Sequence, residues 1–400
     1  MERIQIVCFP RALFLYTISM TAIRLFLLML LSAALSGLTP PPVQAASTPA
    51  PEATYQVYLP LISKLPYKVF MPIILVAPPP PPPPLIPPYS TSIYLNTASP
   101  SAAYSLGYAA GQHDLALAGA QDSLIILDYG QPWEENGVWG VAVFGNYDFY
   151  PLADIAASAR EFGHGYYDGA GADTASHITL GIGINSYGSY GTGSTDPAVR
   201  ADAAYEHGLA YAAMVESAAN WVINNGYGSQ VRIVGAKDIE LAWNKAQVSH
   251  AWVNGYSSYF PNPASYHIPY YNFGTCENCP TRLDTSLVPG NGWTMEQIWY
   301  VNWGAPPAWP IPEIYVTNGR NARQWAYLSY YAAQNLGGAI TFPGLMTQWQ
   351  ACQQNPGQCS TLDNTPEQGW QQLYDEVHDP YYGGLIVQET IPWLTDIKWR

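Results

Sequence analysis

The chain has 400 residues, and 11% of them are charged, well below the roughly 25% of an average soluble protein. The net charge is -14 with only 15 Lys and Arg, which argues against a nucleic-acid interface and against an anionic membrane surface, since both need clustered cations. Tyr (31) and Trp (14) are abundant instead, a neutral hydrogen-bonding composition that suits an extracellular life and neutral polar ligands such as sugars, or is simply what many exported proteins look like.

The N-terminus reads as an export signal over residues 1–45. Arg11 and Arg24 precede the apolar run Leu25 to Leu38, and Val43-Gln44-Ala45 fits a small-x-small cleavage pattern. The run is short for a membrane span, which takes about 20 apolar residues, and an uncleaved anchor is the alternative. Residues 46–98 read as a linker. Two similar units, "YQVYLPLISKLP" and "YKVFMPIILVAP", are of a "YLPLI" type and are followed by seven prolines, Pro78 to Pro84. Such a run is a stiff polyproline spacer of about 3.1 Å per residue, suited to holding a globular part off a cell surface.

From Ser99 onward, apolar strands alternate with helical stretches. "PSAAYSLGYAAGQHDLALAG" (Pro100–Gly119) is helix-like. Strands are expected at Ser123–Gly130, His177–Asn185, Gln230–Glu240, Ile268–Gly274, Thr294–Gly304, Pro312–Gly319, Gly338–Gly344 and Gly384–Glu389. Helices are expected at Pro151–Gly163, Ala201–Gly226, Lys245–Tyr259, Asn321–Gly337 and Pro366–Asp379. Near-continuous apolar strands separated by helices imply a parallel sheet covered on both faces. A (β/α)8 TIM-type barrel over residues 99–400 fits best; an open doubly wound sheet is the runner-up, but no Gly-rich phosphate turn follows the first strand.

In a barrel, function sits at the C-terminal strand ends. On the expected strands these ends carry Asp128, Asn185, the pair Asp238 and Glu240, Asn272, and Asn302 with Trp303. Side chains alternate along a strand, so Asp238 and Glu240 face the same way. Two close carboxylates in a partly dry site raise one pKa and leave a proton available for general-acid work. Glycoside hydrolysis needs this division of labour, with Glu240 as acid, Asp238 tuning it and Asp128 as second carboxylate or substrate orienter. The bland alternative is that the pair caps a helix or forms rim salt bridges. Asn185, Asn272 and Asn302 are candidates to bind hydroxyls, and Trp303, Trp133 and Trp243 to stack on sugar rings. Glu313 begins an expected strand and is placed at the bottom of the barrel, a stability position.

Cys276, Cys279, Cys352 and Cys359 read as two local disulfides, 276–279 and 352–359, with a four-thiolate zinc site as the sharper alternative. None of the seven histidines forms H-x-H or HExxH, and no G-x-S-x-G elbow, complete G-x-G-x-x-G or P-loop is present. No metal and no cofactor is expected. The segments "DIELAW", "YYNFG", "WYVNWGAPP", "EIYVTNGRNARQW" and "GAITFPG" resemble a group of uncharacterised secreted bacterial proteins, themselves similar in plan to glycoside-hydrolase-like barrels such as muramidases and chitinase-type enzymes. That resemblance implies a glycan partner, polysaccharide or peptidoglycan-like, and matches Asp238, Glu240 and Asp128 by position. The alternative is a barrel that binds glycan without cleaving it, or a structural surface platform.

Overall fold

The computed structural model describes residues 85–260, 268–357, 359 and 363–400, together with the backbone of 55–60 and 70–75. The expected signal segment and the polyproline run lie outside the described residues. The chain divides into two units, Met1–Pro82 and Pro83–Arg400. In the first, β1 (Tyr55–Pro60) and β2 (Phe70–Leu75) pair antiparallel, with Tyr55 opposite Leu75. These are the two aromatic-aliphatic units of the sequence.

The second unit is mixed α/β. It runs β3 (Ser90–Tyr94), α1 (Pro100–Ala116), β4 (Asp122–Asp128), then a three-stranded antiparallel meander of β5 (Gly130–Glu135), β6 (Val138–Val143) and β7 (Phe149–Pro151). It continues with α2 (Leu152–Ala170), β8 (His177–Asn185), α3 (Pro197–Asn224), β9 (Val231–Asp238), α4 (Ala246–Ser258) and β10 (Tyr270–Asn272). Helix α5 (Met295–Trp299) runs on as a wide turn, Tyr300–Gly304, into β11 (Ala308–Pro310). Then follow α6 (Arg320–Asn335), β12 (Gly344–Thr347), α7 (Trp349–Gln354), α8 (Pro366–Val377) and β13 (Trp393–Trp399).

Eight strands form one parallel sheet in the order β11-β10-β9-β8-β4-β3-β13-β12. The two ends meet just beyond β11, where Glu313 bridges Met346 in parallel, Ile314 N donates to Met346 O (2.9 Å) and Met346 N donates to Pro312 O (2.9 Å). The sheet is thus a nearly closed barrel, consistent with the TIM type. Strand β4 shows why: Leu124 to Leu127 are all buried, because barrel side chains and helices cover its two faces.

The helices start where the sequence supplies caps. Ser99, Asp196 and Thr365 each cap a helix whose first residue is proline, which pre-sets the first turn and lacks the N–H that would go unpaired. Helices α1 and α2 pack backbone against backbone through Gly107 and Gly111 on one side and Gly165 and Gly169 on the other. A Cβ at any of the four would overlap main-chain atoms of the partner helix. Gly208 of α3 and Gly255 of α4 do the same for the next pair.

Several expectations need correction. The barrel begins with β3 at Ser90, inside the span assigned to the linker, so β4, β8, β9 and β10 each move up by one in the count, and the strands from β11 on keep theirs because the expected fifth strand is lost. The segment Thr294–Gly304 is helical, because Thr294 and Gln297 form a reciprocal capping box at its start. The last strand is Trp393–Trp399, not Gly384–Glu389, where Val387 is 81% exposed. Cys276–Cys279 and Cys352–Cys359 are disulfides with Cα atoms 5.4 and 5.2 Å apart, which uses the thiolates a zinc site would need. Among the described residues no helix is long and apolar enough to cross a membrane.

Candidate functional site: three carboxyl groups at the barrel mouth

With β3 counted, the D-x-E pair belongs to the fourth barrel strand. β9 ends at Asp238, and the turn after it is stitched to both neighbouring strands. Ile239 N donates to Asn272 Oδ1 at the end of β10 (3.1 Å), Glu240 N donates to Ser186 Oγ just beyond β8 (3.1 Å), and Trp243 N closes the turn on Glu240 O (3.2 Å). Glu240 is therefore held over the mouth by its own backbone. Its Oε2 accepts from Thr275 Oγ1 at 2.7 Å.

Glu313 completes the group. It lies just past β11, at the closing bridge, at the C-terminal end of its strand. The structure thus overturns its placement at the bottom: β11 runs earlier, Ala308–Pro310, so Glu313 follows the strand rather than beginning it. Tyr315 Oη donates to Glu313 Oε1 (2.7 Å), and Asn321 Oδ1 accepts from Tyr315 N (3.1 Å) and Val316 N (3.0 Å), which fixes this stretch onto α6. Carboxylate oxygens of Asp238, Glu240 and Glu313 all lie within 4.8 Å of one another.

Burial is the first cause of an upward pKa shift in all three. Glu313 and Asp238 are pushed well above the carboxylate range, each also by the charge of Glu240. Glu240 is raised less, because hydrogen bonds from Thr275 and Glu313 favour its anion. The arginine ion pairs of the described residues, Arg282 and Arg323 with Glu376 and Asp379, lie elsewhere, and none reaches the trio. Burial and mutual repulsion therefore favour protonated forms in this group, and Lys237 pulls Asp238 the other way. Glu240 lines a cleft of about 170 Å³ with Thr275, Glu277, Arg320, Asn321 and Gln324, while Asp238 and Glu313 are 6% and 4% exposed behind it.

Asp128 ends β4 fully buried. Its Oδ1 accepts from Gly130 N (3.0 Å) and its Oδ2 has no partner, as is also true of Asp238 Oδ1. Burial raises Asp128 to about 7, against the pull of the Gly130 hydrogen bond and of Lys237.

The remaining candidates separate. Asn185 and Trp243 line a second cleft beside the turn. Asn272 is a tie: its Oδ1 holds Ile239 N and Gly274 N, and its Nδ2 donates to Asn302 Oδ1 (2.8 Å). Asn302 sits in the helical turn and donates to Ile298 O (2.8 Å). It is not at a strand end. Trp303 also lies in that turn, packed edge-on against Trp309 (5.0 Å between centroids) where β11 begins, the opposite end from the mouth. Trp133 lies in β5 opposite Gly140 and lines neither cleft. Sequence reasoning missed Glu313, Thr275 and Tyr315. One signal was available: in "EIYV" the period of two puts Glu313 and Tyr315 on one face, as it does Asp238 and Glu240.

Comparison with protein-family models, with curated proteins and with solved structures finds no match in any of the three.

Proposed function

We propose that the protein is a secreted (β/α)8 TIM-type barrel of glycoside-hydrolase type, working on a glycan by carboxylate acid-base chemistry. The observation that carries this reading is the meeting of Asp238, Glu240 and Glu313 at the C-terminal strand ends, none of them in an ion pair among the described residues. Glu240 is the member that reaches the cleft. In this reading it passes a proton to the leaving glycosidic oxygen as the C1–O bond breaks, and the carboxylate so formed takes back a proton from the water that adds to C1, with Glu313 and Asp238 beside it as protonated neighbours. The two disulfides fit an oxidising, extracellular setting. The N-terminal segment would supply export and attachment to the cell surface.

The test is release of reducing ends from a polysaccharide panel that includes peptidoglycan, with wild type and Glu240→Gln side by side and matched thermal melts. Cleavage by wild type and not by the folded variant supports the reading; a wild type that cleaves nothing sinks it. One observation favours a second reading, a barrel that binds glycan without cleaving it: two of the three acids are nearly sealed, so a single acid is presented to the cleft.

A further inference from the structure

A second cleft, of about 190 Å³, opens on the other flank of the turn that carries Glu240. It is lined by Gln131, Phe144, Tyr147, Asn185, Tyr187 and Trp243, among other side chains, none of them charged. Its walls share the acid's own scaffold: Ser186, between Asn185 and Tyr187, accepts the Glu240 N–H, and Trp243 N donates to Glu240 O.

Two features mark this cleft as open to a ligand. Tyr147 and Tyr187 are 67% and 54% exposed, in a protein that buries Tyr129, Tyr166, Tyr190 and Tyr211 completely. Tyr147 also adopts φ +59°, a left-handed conformation that a bulky residue rarely takes, on the tight turn joining β6 to β7. Tyr187 is braced edge-on against Trp243, with centroids 5.8 Å apart and ring planes at 85°. Polar groups are available as well. The Gln131 amide has no intramolecular hydrogen bond among the described residues. Asn185 uses only its Oδ1, accepting from Tyr187 N (3.0 Å), and leaves Nδ2 free.

We infer that this cleft is a sugar subsite for a neutral pyranose, so that the mouth takes a chain of neutral sugars running from Tyr147 and Tyr187 past Trp243 toward Glu240. The inference rests on the glycan reading of the mouth. Ring faces and amides together match a pyranose, whose C–H face stacks on an aromatic ring and whose hydroxyls pair with amides. No cation lines the cleft to hold an acidic sugar.

The experiment is calorimetric titration of the full chain carrying Glu240→Gln, which stops turnover. The probes are hexasaccharides of β-1,4-glucose, β-1,4-N-acetylglucosamine and α-1,4-glucose, with the hexamer of α-1,4-galacturonic acid as the anionic control. At least one neutral hexamer is expected to bind and the galacturonic hexamer not. Adding Tyr187→Ala should weaken the neutral hexamer about tenfold with an unchanged melting temperature, while Tyr187→Phe keeps most of the affinity. Tyr147→Ala is the second arm, on a separate turn. If no neutral hexamer binds, if the galacturonic hexamer binds as well as they do, or if both alanine variants leave Kd unchanged, the inference is overturned. Neutral hexamers that bind through Tyr187 yet stay uncut by wild type would instead refute the hydrolase reading and leave the subsite standing.

Discussion

Asp128 offers a quantitative check on the electrostatics of the mouth. Its carboxyl is fully buried, keeps one hydrogen bond from Gly130 N and has an unpartnered Oδ2, and burial lifts its pKa from 3.8 to about 7. A carboxyl whose folded pKa lies above its unfolded value favours the folded state only while protonated. That stability is fully present below pH 3.8 and is lost as pH rises to 7. At about 1.36 kcal/mol per unit the loss is about 2 kcal/mol at pH 5 and about 4 kcal/mol at pH 8. In Asp128→Asn the amide oxygen keeps the Gly130 bond, the NH2 is as unpartnered as the acid's O–H, and nothing ionises. Wild type and variant should therefore unfold alike near pH 4. Above pH 7 the variant should be the more stable by about 4 kcal/mol, on the order of 10 °C in melting temperature for a domain of this size. The assay is chemical and thermal unfolding of both proteins at matched ionic strength from pH 4 to pH 8.5, scored as the difference between them so that the other buried acids cancel. Parallel curves, with a constant offset across the range, would refute the argument that Asp128 is held as a neutral acid.

Three further outcomes are expected. Thr275→Val removes a hydrogen bond that favours the Glu240 anion, so the acid should hold its proton to higher pH; the alkaline limb of kcat/KM should move up by about one unit, and a limb that stays or moves down counts against Glu240 as the acid. Gly165→Ala would drive a Cβ into the carbonyl of Tyr104 on the facing helix, which should cost about 3 kcal/mol or more in unfolding free energy, whereas Gly119→Ala, at positive φ but in open space, should cost only about 1 kcal/mol. Replacing Cys352 and Cys359 together by Ser releases a short loop and should lower stability by about 2 kcal/mol in oxidising buffer, with no difference between the proteins once both are reduced.

The barrel was legible where its strands are apolar and hidden where they are not. β4, β8 and β9 announce themselves as runs of Leu, Ile and Val. β3 and β13 do not, because their ladder is polar: Ser92 Oγ and Thr395 Oγ1 share a hydrogen bond of 2.7 Å, Ile126 N donates to Ser92 Oγ, and Asp396 Oδ1 accepts from Thr347 Oγ1. Polar groups that satisfy one another are as buried as leucines, yet carry no hydrophobic signal. In Thr294–Gly304 the error ran the other way, since Ile298, Trp299, Tyr300 and Val301 read as a strand although the Thr294 and Gln297 cap marks a helix. The acid pair was legible because alternation is a local rule. Glu313 was not, because its meeting with Glu240 depends on which residue starts β11 and on the ring closing at Met346, and neither is written locally.

The placement of charge around the pair argues for protons rather than counter-ions. "AKDIE" puts a lysine directly before Asp238, close enough in sequence to suggest an ion pair. The strand's alternation prevents it: Lys237 faces the helix layer, where its Nζ donates to Asn185 O (2.9 Å) and lies 4.7 Å from the Trp252 ring centroid, while Asp238 faces the mouth. Lys237 is fully buried, and that burial pulls its pKa well below the usual value while Asp238 and Asp128 pull it back up. A lysine at position 236 would face the same side as Asp238 and pin it as a carboxylate, converting the trio into a salt bridge with no proton to give. A direct test is Ala236→Lys combined with Lys237→Ala. If a proton-holding trio is what the mouth needs, the folded double variant should lose hydrolysis and the upward shift of its acids together, the latter read by carboxyl titration in NMR. Hydrolysis retained after the acids have returned to the ordinary carboxylate range would show that the protons are incidental.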